Sequence, residues 1–486
     1  MSSISTGITG LDEILRGGLT PHRVYLIEGT PGAGKTTLAM QFLLQGARDG
    51  ERVLYITLSE TAEELTASAK SHGWTLEGVD IREYIANDAT TDRDRELTMY
   101  HPAEAELGDT MNRMLADIGQ LRPQRVVIDA LSELRLLSDS PLRYRRQLLA
   151  LKNFFSACKC TVLLLDDRSA VDRDSHVESV VHGVLTLEHG LTDYGSDQRR
   201  VRVRKMRGRS FRAGLHDYVI REGGLEIFPR LAAAAHHIEF DRKPVASGLA
   251  PLDQLMGGGP QAGTSTLLMG PAGSGKTTVA MQYALAAAEA KHGVAIYVFD
   301  ELRELMIDRL ADIGMDLEKE IDAGRMVLRQ IDPTQKSPGE FAAQVRCDVE
   351  EHAVKVVVID SLNGYLNSMP HEEFLTAQLH ELLGYLGNQG IVTLMIVAQQ
   401  GIVGANMRTP VDASYLADSI VLFRYFESCG EVRKAISVAK KRGGPHENTI
   451  RELIIDASGI HVGPPLAEFQ GVLTGVPSFL TAAAKL

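Results

Sequence analysis

At 486 residues the chain is too long for one hydrophobic core, and a prior of roughly 150 residues per domain implies two to four. A composition of 44% apolar and 23% charged residues is that of a soluble globular protein, and no stretch reaches the ~18 uncharged apolar residues a membrane-spanning helix needs. The net charge of -12 argues against a general nucleic-acid binder, because duplex binding rests on neutralising phosphates, although a local basic channel stays open.

Met1 to Gly10 holds no basic region followed by an apolar run, so no secretory signal is expected. The cysteines are Cys158, Cys160, Cys347 and Cys429. Only one pair is close, at C-x-C spacing, and no histidine accompanies it. Reduced thiols in a cytoplasmic protein are the expectation, rather than disulfides or a zinc site.

In chain order, "STGITGLDEILRGGL" (Ser5 to Leu19) opens the first half. Strand "RVYLIEG" follows, then a helix "KTTLAMQFLLQGARDG" ending at Gly50, strand "RVLYITL" and helix "TAEELTASAKSHG". Strand "RVVIDAL", a helix around "YRRQLLALKNFF", strand "CTVLLLDD" and β-rich hairpins complete it. The second half repeats the series from "ASGLAPLDQLMGGGP" (Ala246 to Pro260). Gly7, Leu11, Asp12, Lys35 and Glu60 recur as Gly248, Leu252, Asp253, Lys276 and Glu301, at a constant offset of 241 residues. Two copies of one domain are therefore expected, over residues 1–235 and 236–486, joined near Arg230 to Pro244. The alanines there suit a linker or a short helix. Wholly apolar strands between amphipathic helices predict an α/β fold, each copy a mostly parallel sheet covered on both faces.

Two segments satisfy G-x-x-x-x-G-K-[ST] between a strand and a helix. They are Gly29, Thr30, Pro31, Gly32, Ala33, Gly34, Lys35 and Thr36, followed by Thr37, and Gly270, Pro271, Ala272, Gly273, Ser274, Gly275, Lys276 and Thr277, followed by Thr278. Glycines let backbone N–H groups turn inward around phosphates, and the helix N-terminus adds its dipole. Lys35 and Lys276 are expected on the β- and γ-phosphates of ATP, with Thr36 and Thr277 on Mg²⁺. Asp129 and Asp360 each end an apolar strand, where they would serve the metal or simply mark the strand end. Glu60 and Glu301 are candidate bases for the attacking water, or else dipole-favoured charges at a helix start.

The basic run Arg199 to Arg212 contains a K-x-R-G segment, Lys205 and Arg207, matched by Lys440 and Arg442. It is either a solvated basic strand or a Lys/Arg finger aimed at the γ-phosphate of a neighbouring subunit. Such a finger is worth about 10³–10⁵ in rate.

Together, the paired P-loops, the "SGLxxLD…GG" segment, Gly73-Trp74 and Gly314-Met315, and the K-x-R-G hairpins resemble the KaiC family of RecA-like ATPases, over almost the whole chain through Phe469 to Pro477. The resemblance implies two tandem RecA-like P-loop NTPase domains and a double-ring homohexamer holding ATP and Mg²⁺ between subunits. It implies an ATPase first ring, a second ring that autophosphorylates, and a KaiB-like regulatory partner. Ser414, followed by Tyr415 where clock members carry threonine, is the candidate phospho-acceptor, with Thr409 second and an ordinary polar surface serine as the alternative. The family's paired glutamates read Ser59-Glu60 and Asp300-Glu301 here. The chain ends soon after Pro477, so the long tail that engages a KaiA-type activator is not expected, nor is timekeeping through it. A RecA-class DNA-dependent ATPase, and a scaffold ring glued by ATP, are the competing readings.

Overall fold

The computed structural model describes residues 3–84, 102–136, 138, 140–167, 175–190, 197–232, 237–332, 334–367, 375–399, 415–474 and 478–479. The chain forms two compact units, Met1–Arg230 and Leu231–Leu486.

In the first unit nine strands form one sheet. They are β1 (Val24–Gly29), β2 (Val53–Thr57), β3 (Val79–Glu83), β4 (Arg125–Asp129), β5 (Thr161–Asp167), β6 (Gly183–Gly190), β7 (Gln198–Met206), β8 (His216–Arg221) and β9 (Gly224–Phe228). Their order is β3-β2-β4-β5-β1-β6-β7-β8-β9. The strands from β3 to β6 are parallel, and β6 to β9 antiparallel. Every residue of β1, β2 and β4 is buried, as a sheet covered on both faces requires. One apolar layer packs the helix Lys35–Arg48 through Leu38, Phe42 and Leu43. The other holds Met114 and Ile118 of the helix Pro102–Leu121 with Leu148, Leu151 and Phe155 of the helix Pro141–Cys158.

The second unit repeats this plan. Its strands are β10 (Ser265–Gly270), β11 (Gly293–Val298), β12 (Met326–Gln330), β13 (Val354–Asp360), β14 (Val392–Ala398), β15 (Ser419–Ser428), β16 (Glu431–Lys441), β17 (Ile450–Asp456) and β18 (Gly459–Pro465), in the order β12-β11-β13-β14-β10-β15-β16-β17-β18. Two nine-stranded, mostly parallel sheets between helices are two tandem RecA-like α/β domains. Among the described residues no helix is long and apolar enough to cross a membrane.

The opening segment of each unit has a physical reason for its motif. Asp12 accepts from Thr6 N at 3.0 Å and Ser5 Oγ at 2.6 Å, and Asp253 accepts from Ser247 N at 2.8 Å, which pins the loop to the short helix that follows. Gly18 and Gly259 then turn the chain with φ of 100° and 114°. A Cβ on either would lie 2.1 Å from a backbone oxygen, of Ile4 or Val245. Neither position tolerates a side chain.

In each sheet the pair that carries K-x-R-G slips register once. Val184 faces Lys205 but Leu185 faces Val203, and Ile420 faces Lys440 but Val421 faces Val438. Arg204 and Ala439 are the extra residues of these β-bulges.

Candidate functional site

Each phosphate loop connects a buried strand to a helix whose first residue is the lysine. Gly32 and Gly34 take φ of 77° and 86°, and Gly273 and Gly275 take 72° and 100°, the left-handed region that lets a backbone curl tightly around an anion. Gly29 and Gly270 are required by proximity: a Cβ would lie 2.6 Å from Leu187 O in one and 2.5 Å from Phe423 O in the other. Ala33 and Ser274 are buried, and Ser274 Oγ donates to Pro271 O at 2.8 Å. Thr37 Oγ1 lies 3.4 Å from His72 Nε2.

The two lysines sit in different surroundings. Lys35 Nζ donates to Gly29 O at 3.0 Å and Thr30 O at 3.1 Å, and it pairs with Asp167 Oδ1 at 2.6 Å. Lys276 Nζ donates to Pro271 O at 2.6 Å. The residue facing Gly270 across β10 and β14 is Ala398, where the first unit has Asp167 facing Gly29. Burial lowers Lys276 to about 8, against the pull of Asp360.

The structure brings each threonine of the loop to the strand-end aspartate. Thr36 Oγ1 donates to Asp129 Oδ2 at 3.1 Å, and Tyr55 OH donates to the same oxygen at 2.6 Å. Thr277 Oγ1 donates to Asp360 Oδ2 at 2.8 Å. The peptide after each aspartate is cis. Burial raises both carboxylates. Asp360 reaches about 6, with Glu301 and Asp300 adding to the effect and Thr277 opposing it. A hydroxyl and a carboxylate converging beside a phosphate loop form a hard-oxygen donor set, which fits Mg²⁺ with the remaining positions left to water and phosphate.

Glu60 and Glu301 follow β2 and β11 at equivalent positions. Thr57 Oγ1 holds the Glu60 main chain, donating to its O at 2.6 Å and accepting from its N at 3.0 Å. The Glu60 carboxylate is raised first by burial, then by the charges of Asp129 and Glu64. Glu301 instead meets Arg309, with Nε at 3.1 Å from Oε1 and Nη2 at 2.9 Å from Oε2. Asp300 accepts from Ser361 Oγ at 2.5 Å, a pair replaced by Ser59 and Ala130 in the first unit.

The K-x-R-G cations rest on their own unit. Lys205 Nζ donates to Glu178 O and to Val181 O, the latter at 3.0 Å, and Arg207 Nη2 to Ser179 O at 2.8 Å. Lys440 Nζ donates to Ala417 O at 2.8 Å, and Arg442 lies 3.6 Å from Asp418. Ser414 and Thr409 lie outside the described residues. Sequence reasoning missed Asp167, Tyr55, Ser361 and Arg309. The doubled aspartate closing "LLLDD" was the available signal for the first; the others show themselves only through strand and helix register.

Two phosphate loops on RecA-like sheets, each with its Thr–Asp pair, define a tandem P-loop nucleotide-binding protein. The profile of the family described as "ATPase: KaiC" matches residues 4–232 and 245–467, and the chain belongs to that family. Similar proteins include the circadian clock oscillator protein KaiC of Synechococcus elongatus, 26% identical across 100% of this chain and 93% of the relative. Another is the circadian clock protein KaiC3 of Synechocystis sp., 26% identical over 99% of this chain and 95% of its own length. The chain is thus a KaiC-like ATPase.

Proposed function

We propose that each unit binds Mg-ATP at its phosphate loop and hydrolyses it, with Glu60 and Glu301 as general bases. The observation that carries this reading is the Thr–Asp pair beside each loop, 3.1 Å and 2.8 Å, with a glutamate at the same place in both units. When bound, Mg²⁺ neutralises charge on the β- and γ-oxygens; Thr36 with Asp129, and Thr277 with Asp360, would hold it. The loop N–H groups and the lysine orient the triphosphate. The glutamate accepts the proton of the water that attacks the γ-phosphorus. The bond to the β–γ bridging oxygen breaks, and ADP and inorganic phosphate leave.

Lys205, Arg207, Lys440 and Arg442 complete the site of a neighbouring chain in a double-ring hexamer. Supporting this, the two units hold these cations in the same way, Lys205 and Arg207 on the carbonyls of Glu178, Val181 and Ser179, and Lys440 and Arg442 on Ala417 and Asp418. The second ring transfers phosphate to Ser414 or Thr409, and a KaiB-like protein is the regulatory partner. The output is that of a regulatory, stress-related or signalling ATPase in the cytoplasm. Phosphate release by Glu60→Gln and Glu301→Gln chains, singly and together, tests the base assignment: each single change should remove one unit's turnover, and a double variant as fast as wild type refutes it. Peptide mass spectrometry after incubation with Mg-ATP tests the acceptor, and phosphate on neither Ser414 nor Thr409 reduces the protein to an ATPase.

A further inference from the structure

Both Glu301 oxygens are engaged by one guanidinium. Arg309, two turns along the helix Arg303–Ala311, spans the carboxylate with Nε and Nη2. Its side chain is 44% exposed and that of Glu301 31%, so water reaches the pair and salt screens it. The first unit lacks this contact. Buried Leu65 and Ala69 there match buried Met306 and Leu310, and Gly73 matches Gly314, which fixes the position of Arg309 as Ser68. The Glu60 carboxylate makes no hydrogen bond or ion pair among the described residues. Two equivalent glutamates therefore stand in opposite states, one open and one clamped.

We propose that Arg309 is a positioning residue that latches Glu301, so that the second unit hydrolyses ATP below its capacity until the pair opens. The inference rests on the reading of Glu301 as the base. A base must turn a free lone pair toward the attacking water, and a bidentate guanidinium commits one lone pair of each oxygen and fixes the carboxylate plane. The pair is exposed, so the latch is weak and opens often, and its effect is a brake rather than a block. The first unit, with Ser68, runs without it. The asymmetry lies outside the phosphate loop, the Thr–Asp pair and the glutamate itself.

The test is steady-state phosphate release from Mg-ATP by the full chain, with the first loop silenced by Lys35→Ala so that turnover comes from the second unit. Arg309→Ser installs the first unit's residue, and Arg309→Gln keeps the aliphatic stem and helix propensity should the serine variant fold poorly. Both should raise kcat about two- to fivefold at low salt with KM for ATP unchanged, the size an exposed ion pair supports. Arg309→Lys, which keeps the charge but lacks the planar two-nitrogen fork, should fall between. The ratio of variant to unmodified turnover should shrink toward one as salt rises to about 0.5 M. Turnover equal to or below that of the unmodified arginine, or a gain that ignores salt, overturns the latch. Glu301→Gln in the same background separates the two ideas: if it abolishes turnover, the base reading stands whatever Arg309 does, and if it turns over normally, base and latch fall together.

Discussion

Lys35 lies 2.6 Å from Asp167, while the aligned position in the second unit is Ala398. An incoming triphosphate meets an extra negative charge in the first unit and must draw the lysine from it. Asp167 is 45% exposed, so the expected effect is about 1 kcal/mol, roughly fivefold in affinity. Asp167→Ala, titrated with a fluorescent ATP analogue in a Lys276→Ala chain, should bind more tightly by that factor; weaker binding would mean that Asp167 serves the ligand. Its neighbour Asp166 gives a pH signature. Burial pushes this carboxyl up to about 6 although Arg135 reaches its Oδ2, and its Oδ1 has no hydrogen-bond partner among the described residues. Between its unfolded value of about 4 and about 6, the native state keeps a proton that the unfolded chain has released. Its contribution to stability is therefore greatest below about pH 4 and is lost as pH rises through about 6, by roughly 2–3 kcal/mol at most. In urea titrations against pH, Asp166→Asn should gain stability relative to wild type across that window, above a constant offset from the altered Arg135 pairing. At this scale the sequence shows what chemistry demands, glycine, lysine, threonine and a strand-end aspartate, because phosphate and magnesium restrict the residue types. It does not show Asp167 against Lys35 or Arg309 against Glu301, because those meetings depend on which residues a register places opposite.

The elements divide in the same way. Central strands were legible because burial on both faces leaves an unbroken apolar run, as in β1 or β4. The edge strand β3 was not. "VDIRE" is only partly covered, and its charged residues break the apolar run that marks a central strand. The helices Pro102–Leu121 and Pro338–His352 also escaped, since each has polar residues through much of its length and no motif beside it. Glycine carries more information than the strand pattern at Gly259, where φ is 114° and a Cβ would lie 2.1 Å from Val245 O. Gly259→Ala must strain the turn or detach the opening segment from it, and should cost about 2–3 kcal/mol in urea unfolding. A loss under about 0.5 kcal/mol would mean that the segment simply moves aside.

Across the whole molecule, the repeat was readable because an offset of 241 residues carries each residue position of the first phosphate loop onto the second. A shared site makes a firm prediction about mixtures. Chains lacking both loop lysines (Lys35→Ala, Lys276→Ala), mixed with chains lacking the cations (Lys205→Ala, Arg207→Ala, Lys440→Ala, Arg442→Ala), should recover part of the turnover that neither has alone. No recovery, in assemblies that light scattering shows to be mixed and near six times the 53.0 kDa chain mass, would make each site the property of one chain. Whether the cations can serve a neighbour at all turns on the bulges at Arg204 and Ala439. Val201 and Val203 face the layer that holds Phe42, and strict alternation would send Lys205 after them. Arg204, the extra residue in the strand register, shifts the phase by one step: Met206 joins the valines, while Lys205 emerges on the opposite face, against Val181. Ala439 does the same, sending Lys441 toward Met256 and Lys440 toward Ala417. Deleting either bulge residue removes no charged group of the K-x-R-G segment, yet it inverts which side of the sheet each one occupies. One extra residue thus decides which of the two layers flanking the sheet each lysine meets.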